Sequence, residues 1–300
     1  MAGTPLRILS DLHLGHPASP LTRAEQVRPL WQGAEEVWLL GDTLETCSAR
    51  LAPVSRRLFD EVSALADEDG VALRLFRGNH DPEPEFATHR TLDDGRVFLT
   101  HGDACFRYGS PWSPWIPRMR RRLDEIEREF TNEHGTADLD ARFELARQWA
   151  AAFHPRPRRF DGPLGKWESI AHTLWPPATP FVILYHWLRG PDIAARWLDH
   201  HAPDAQVLIM GHTHRPCVQL RRKRWIINLG AFHPFGYPRA IDYRPGQLDI
   251  RPIRRPKDGD HGFTPAPPRL RLSQADPESP WKRTRVGKSS DCSSCLPYSF

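Results

Sequence analysis

Residues Leu6-Arg7-Ile8-Leu9-Ser10-Asp11-Leu12-His13 hold a short apolar run that stops abruptly in a carboxylate and an imidazole. The pattern returns four times along the chain. Residues 37–40 run into Gly41-Asp42, Ala72–Phe76 into Arg77-Gly78-Asn79-His80-Asp81, Val97–Thr100 into His101-Gly102-Asp103, and Val207–Met210 into Gly211-His212-Thr213-His214. Short runs of Val, Ile, Leu and Phe bounded by glycine read as buried strands. Between the second and third runs, Val54, Leu58, Val62 and Leu65 recur at helical spacing and predict a helix over 51–67. Strand, helix, strand order points to a layered α/β fold. Ligands in such folds gather beyond the carboxyl ends of the strands, where every one of these polar clusters sits. Residues 225–229 and 247–250 read as further strands.

The chain has 300 residues, room for one large domain or two modest ones. Its 41 basic and 37 acidic side chains leave a net charge of +4, too mild to indicate nucleic acid as a partner. No apolar run reaches the roughly 18 residues of a membrane-spanning helix. The first residues lack the basic and apolar regions of a secretory leader. Five scattered cysteines make no disulfide framework, and Cys292-x-x-Cys295 lacks the second pair that a zinc site needs. A cytoplasmic location is expected.

Two regions depart from the strand pattern. Residues 104–203 contain 7 of the 11 Trp and 11 of the 30 Pro. Within them, Met119, Leu123, Ile126 and Phe130 mark one amphipathic helix, and Leu139, Phe143, Ala146, Ala150 and Phe153 mark a second. A third is expected over 183–201, broken at Gly190-Pro191. This reads as a helical cap inserted between core segments 1–103 and 204–253. Trp112, Trp115, Trp175 and Trp187 could line a pocket in it, although core packing is the simpler expectation. Arg118, Arg120, Arg121 and Arg122 read as a solvated helix face, with Asp124 pairing to Arg128. The stretch 174–188 is apolar enough to touch a membrane surface peripherally. Residues 254–300 carry nine basic and five acidic side chains, hence the whole net charge, and read as a disordered tail.

The strand-end residues Asp11, His13, Asp42, Asn79, His101, His212 and His214 are hard or borderline donors suited to Mn, Fe, Zn or Mg. Asp11 and His13 are two apart, and an extended backbone would place them on one side. His212 and His214 repeat that spacing. These residues suffice for two divalent ions, manganese being the first expectation. Two such ions about 3.5–4 Å apart can bind a bridging hydroxide for in-line attack on phosphorus. Asp42 is the candidate shared carboxylate. The glycines before Asp42, Asn79 and His212 allow close approach of backbone and ligand.

In order and rough spacing, Asp11-x-His13, Gly41-Asp42, Gly78-Asn79-His80-Asp81, His101 and Gly211-His212-Thr213-His214 resemble the motifs of the calcineurin-like metallophosphoesterases. The resemblance spans residues 6–103 and 204–235. It implies an α/β class, four-layer α/β/β/α sandwich of two mixed sheets with the helical insertion outside it. It assigns Asp11, His13, Asp42 and His214 to one metal, and Asp42, Asn79, His101 and His212 to the other. It gives His80 a catalytic role beside the phosphate, with Asp81 orienting it. No expected ligand is missing, so hydrolysis of a phosphomonoester, phosphodiester or pyrophosphate is expected. Local strings such as Leu40-Gly41-Asp42-Thr43-Leu44-Glu45 also resemble the UDP-2,3-diacylglucosamine hydrolases. That group usually carries Arg where this chain has His80, and its acyl-binding cap does not match the insert. A lipid-precursor pyrophosphatase, a nuclease and a non-enzymatic scaffold are the alternatives.

Overall fold

The computed structural model describes residues 3–134, 138–153, 177–234, 236–256, 262–276 and 278–286. All five polar-ended runs are strands: β1 (Leu6–Leu9), β2 (Glu36–Leu40), β3 (Ala72–Phe76), β5 (Val97–Thr100) and β6 (Val207–Met210). The helix between β2 and β3 is α1 (Ala52–Glu68). It buries Leu58, Val62 and Ala66 at four-residue spacing. The remaining strands are β4 (His89–Leu92), β7 (Cys217–Arg221), β8 (Arg224–Asn228), β9 (Arg239–Arg244), β10 (Gln247–Arg254), β11 (Thr264–Pro265), β12 (Leu270–Ser273) and β13 (Lys282–Arg285).

Two mixed sheets result. One runs β13-β12-β10-β9-β1-β2-β3, with β11 paired to β10; the other runs β4-β5-β6-β8-β7. In the first, β1, β2 and β3 are parallel and β9 is antiparallel to β1. In the second, β5, β6 and β8 are parallel. Register matters for the site. Leu9 pairs with Leu39 and Leu40 with Phe76, so the three strands end at one edge. Leu99 pairs with Ile209, which delivers the segments after β5 and β6 side by side.

The sheets face each other across an apolar layer of Ile8, Leu40 and Phe76 from one and Val97, Ile209 and Ile227 from the other. The opposite face of the first sheet packs Leu9, Val37 and Leu39 against Leu58 and Val62 of α1. The outer face of the second offers Phe98, Leu208 and Ile226 to the insertion. That is the expected four-layer order.

The insertion contains α2 (Ile116–His134), α3 (Leu139–Ala152) and α4 (Thr179–His201). Contrary to the sequence expectation, α4 is continuous through Gly190 and Pro191. Pro191 forfeits one backbone donor. The following turns are held by Ala194, Ala195, Trp197 and Leu198, all buried against the second sheet. Asp124 also differs from expectation: it is engaged by Arg107 at 3.0 Å, by the Tyr108 hydroxyl and by Arg120 at 4.0 Å. Arg121 pairs with Glu125 at 3.1 Å on the solvent face. Trp175 and Cys292-x-x-Cys295 lie outside the described residues.

The expected disordered tail is corrected in its described part. β12 and β13 extend the first sheet, and Leu270, Leu272 and Trp281 close the layer between the sheets. β12 lacks a long apolar run because only alternate residues, Leu270 and Leu272, are buried, and β13 lacks one because it is the edge strand. Lys282, Arg283 and Arg285 are all exposed on β13, a charge pattern that keeps an edge from pairing with other chains. Trp281→Ala should cost about 3–5 kcal/mol, as aromatic truncation in a core does. Thermal unfolding should then shift down by roughly 10 °C; an unchanged midpoint would show that this segment is dispensable.

Candidate metal centre

All seven expected ligands converge at the common edge of the two sheets. The means differ from the expected strand alternation. Asp11, His13, Asp42, His212 and His214 all have positive φ, between 49° and 70°. Left-handed backbone is uncommon outside glycine and clusters at functional sites. Consecutive tight turns, not an extended backbone, aim Asp11 with His13 and His212 with His214. Backbone bonds hold those turns together: His13 N–H donates to Asp42 O at 2.9 Å, and Gly211 N–H to His101 O at 2.9 Å. The His212 N–H donates to the Asp11 carboxylate at 3.0 Å, joining the two sheets.

Two donor groups share Asp42. One comprises Asp11, His13, Asp42 and His214, the other Asp42, His101 and His212, with ligand atoms in each lying within 4.8 Å of one another. His13 Nε2 lies 3.1 Å from His214 Nε2, and His214 Nε2 lies 3.2 Å from Asp11 Oδ1. His101 Nε2 lies 3.2 Å from His212 Nδ1, 3.4 Å from Asp42 Oδ2 and 3.3 Å from Asn79 Oδ1. Imidazole and carboxylate donors bound near 2.1 Å to one ion stand about 3 Å apart. The spacing therefore suits cations.

Three of these imidazoles are turned by a partner on the far nitrogen. His101 Nδ1–H donates to Leu40 O at 2.9 Å and His212 Nε2–H to Gly109 O at 2.9 Å. His13 Nδ1–H donates to Glu45 Oε1 at 2.8 Å. Such outer bonds fix which nitrogen faces a metal.

The electrostatics agree. Burial alone would raise Asp42, yet the charges of His101 and His80 hold its carboxyl well below the ordinary range. Asp11 is also lowered: burial opposes this, but the hydrogen bond from His214 and the His101 charge outweigh it. His101 is raised well above its usual value, because Asp42 overcomes the burial that would lower it. His212 is pushed down to about 3 by burial and by the charge of His101. Two buried, ionised carboxylates demand positive charge nearby. Divalent cations among oxygen and nitrogen donors meet that demand.

Asp81 does something other than the expected orientation of His80. Its two oxygens accept four backbone N–H bonds, from Asp42 and Gly78 at 2.9 Å, Thr43 at 2.8 Å and Leu44 at 2.9 Å. Asp81 thereby fastens the turn after β3 to the turn after β2. Burial and the neighbouring Asp42 carboxylate push it up to about 8, against the pull of those donors.

The carboxylate on His80 is Glu45, a residue the motif reading left without a role. His80 Nδ1–H donates to Glu45 Oε2 at 2.9 Å, while His80 Nε2 points back to within 4.0 Å of Asp42 Oδ2. Burial would raise Glu45, but the His80 charge and the bonds from His13 and His80 hold it well below the usual carboxylate range. Its position three residues beyond Asp42, in Gly41-Asp42-x-x-Glu45, is the signal that could have found it.

Close packing restricts substitution. A Cβ on Gly211 would overlap the Asp11 carboxylate and the Ser10 hydroxyl. One on Gly41, itself at φ 73°, would stand 2.7 Å from the His101 ring. Gly211→Ala should displace Asp11 and weaken metal retention by about 10–100-fold, the scale of a lost supporting contact. Calorimetric titration with Mn²⁺ checks this, and an unchanged affinity would mean the turn relaxes without moving Asp11.

The insertion forms one wall. Trp112 stands 4.9 Å from the His212 ring and Phe106 5.7 Å, centroid to centroid. Trp187 Nε1–H donates to Thr213 O at 3.0 Å, between His212 and His214. Trp115 packs instead with the α2–α3 core.

The model of the calcineurin-like phosphoesterase family matches residues 4–216. No curated protein matches the chain. Among solved structures, the chain is similar to vacuolar protein sorting 29 from Cryptosporidium parvum, with 12% identity, a TM-score of 0.40, and coverage of 91% of this chain and 100% of that one. It is similar to Vps29 complexed with zinc from Entamoeba histolytica, with 13% identity, a TM-score of 0.37, and coverage of 87% and 98%. A dimetal phosphatase from Danio rerio gives 12% identity, a TM-score of 0.40, and coverage of 84% and 96%.

Proposed function

Since this chain belongs to the calcineurin-like phosphoesterase family, we propose that it hydrolyses a phosphoester with two divalent cations. Asp11, His13, Asp42 and His214 would hold one, and Asp42, Asn79, His101 and His212 the other. The observation that carries the reading is the Asp42 carboxylate, buried and ionised between two donor groups. When bound, such cations lower the pKa of water and neutralise charge on a phosphoryl group.

The chain's own residues supply the rest. Asp42 serves both donor groups and accepts the His80 backbone N–H at 2.8 Å, so the metal ligand and the acid are positioned together. Glu45 accepts the proton on His80 Nδ1 and fixes the ring with Nε2 toward Asp42. Nε2, on the Asp42 side of the ring, would pass a proton to the leaving oxygen as a water oxygen bonds to phosphorus and the ester P–O bond breaks. The products are a phosphate or phosphomonoester and an alcohol. Such positioned acid help is worth about 10²–10⁴-fold. Trp112 and Phe106 shield the His212 side from water.

The test is hydrolysis by chelator-stripped protein reloaded with Mn²⁺. p-Nitrophenyl phosphate, bis(p-nitrophenyl) phosphate, a sugar nucleotide and single-stranded DNA form the panel. Turnover that appears with metal and disappears with chelator is expected on at least one small phosphoester. Protein that binds metal but cleaves none of them would end this reading in favour of a scaffold.

A further inference from the structure

The N-terminal half of α4 leaves a row of large apolar side chains in solvent. Phe181 is 74% exposed, Leu184 49%, Tyr185 55% and Leu188 51%. Their spacing is i, i+3, i+4, i+7, one face of a helix. Trp187, 40% exposed, sits beside them. Monomeric proteins rarely expose such contiguous apolar surface without a use for it. Within the described residues the other large exposed apolar side chains, Val54, Leu220 and Tyr237, belong to separate elements.

The inner side of the same half-helix faces the metal centre. His186 stands 5.5 Å from Trp112 and 6.2 Å from Phe106, the two rings that contact His212. Trp187 is bonded to the carbonyl of Thr213. A Cβ on Gly190 would already stand 3.7 Å from the Phe106 ring, so the helix passes close to it there. The apolar row is therefore rigidly joined to the site and lies one helix thickness from it.

Charge indicates what covers the row. Residues 177–191 contain no Asp or Glu. Arg189 follows the row directly, and Arg215 lies over the Trp187 ring at 5.8 Å. Arg189 reaches Asp192 only at 3.9 Å. An apolar face edged by Tyr and Trp and rimmed by arginine, with its nearest carboxylate Asp192 one turn beyond Leu188 and already paired with Arg221 at 3.4 Å, matches an amphipathic helix lying in an anionic membrane interface. A protein partner would call for a polar rim with about one hydrogen bond per 100–200 Å². The row itself offers only the Tyr185 hydroxyl. Among the described residues no helix is long and apolar enough to cross a membrane, so the contact is one of lying on the surface. Residues 174–176 of the expected apolar stretch lie outside the described residues.

We propose that the outer face of α4, Phe181, Leu184, Tyr185 and Leu188 with Arg189 and Arg215, docks on an anionic lipid surface and holds the metal centre beside it. The proposal does not depend on hydrolysis and is tested without it. Full-length protein is sedimented with vesicles of phosphatidylcholine and phosphatidylglycerol (3:1), and with phosphatidylcholine alone. Binding to the mixed vesicles is expected, with partitioning reduced at least tenfold in Phe181→Ser/Leu184→Ser and reduced by high salt. The variant should keep the wild-type melting temperature and Mn²⁺ affinity, since both side chains are exposed. Arg189→Glu/Arg215→Glu should weaken binding to the anionic vesicles only. Failure of the wild-type protein to sediment, or equal sedimentation of the Phe181/Leu184 variant, overturns the proposal. So does a wild-type dimer in light scattering that the same variant dissociates, because the face would then be a self-interface.

Discussion

Asp42→Ala should abolish hydrolysis and empty both proposed metal positions while the two sheets stay assembled. The expectation follows from geometry. Asp42 belongs to both donor groups, whereas Asp11, His13 and His214 belong to one and His101 and His212 to the other. Charge neutralisation by a metal is worth several kcal/mol at the reacting phosphoryl group, and each 1.4 kcal/mol is a factor of ten. Turnover should therefore fall by roughly 10³-fold or more. The apolar layer of Ile8, Leu40, Phe76, Val97 and Ile209 does not involve Asp42, so folding should survive. Asp42→Asn separates charge from shape, because its amide oxygen can still accept the His80 N–H now bonded at 2.8 Å. It should lose metal nearly as completely as the alanine variant. Mass-spectrometric metal content read beside turnover decides the matter; either variant with two metals and normal rate would remove Asp42 from the shared position.

The second large effect separates His80 from Glu45. His80→Ala should lower turnover by about 10²–10⁴-fold with metal content unchanged, as expected of a lost proton donor. Glu45→Ala should do more. It removes the 2.9 Å anchor of His80 and also the 2.8 Å anchor of His13, a proposed metal ligand. Metal affinity should drop about 10–100-fold along with the rate. The sign of the pH response is also set. The folded Glu45 carboxyl is held below its ordinary 4.5, so its contribution to stability is complete above that value. It is lost only as pH falls through the depressed value. Acid unfolding monitored below pH 4.5 should be less steep in Glu45→Gln than in the wild type. A Glu45→Ala enzyme with normal metal affinity would restrict Glu45 to His80 alone.

Much of this centre is legible in the amino-acid order, and the reasons are physical. Strands β1, β2, β5 and β6 are buried along most of their length, so each appears as an unbroken apolar run. The ligand follows directly because the parallel strands end together. β3 was legible through Phe76 although it lies at a sheet edge and is partly exposed. The edge strands β4 (His-Arg-Thr-Leu) and β13 (Lys-Arg-Thr-Arg) carry charge where solvent reaches them and look like loops. The hairpin of β7 and β8 turns on Arg222 and Lys223, both at positive φ, and the solvated basic run 221–224, rather than Gly or Asn, marks it in the sequence. The left-handed turns at Asp11, His13, Asp42, His212 and His214 leave no periodic trace, so the side chains expected to converge do so through a backbone geometry other than the extended one. Glu45 was missed because a single acidic residue between β2 and α1 reads as solvated until the fold turns it inward. Asp81 was misread because proximity to His80 in sequence suggested a side-chain partner, whereas its oxygens face four backbone N–H groups.

Anomalous diffraction from a crystal soaked in Mn²⁺ tests the shared-carboxylate centre most directly. Two peaks are expected, one among Asp11, His13, Asp42 and His214 and one among Asp42, Asn79, His101 and His212, with Asp42 touching both. A single peak, or metal seated without Asp42, would contradict it.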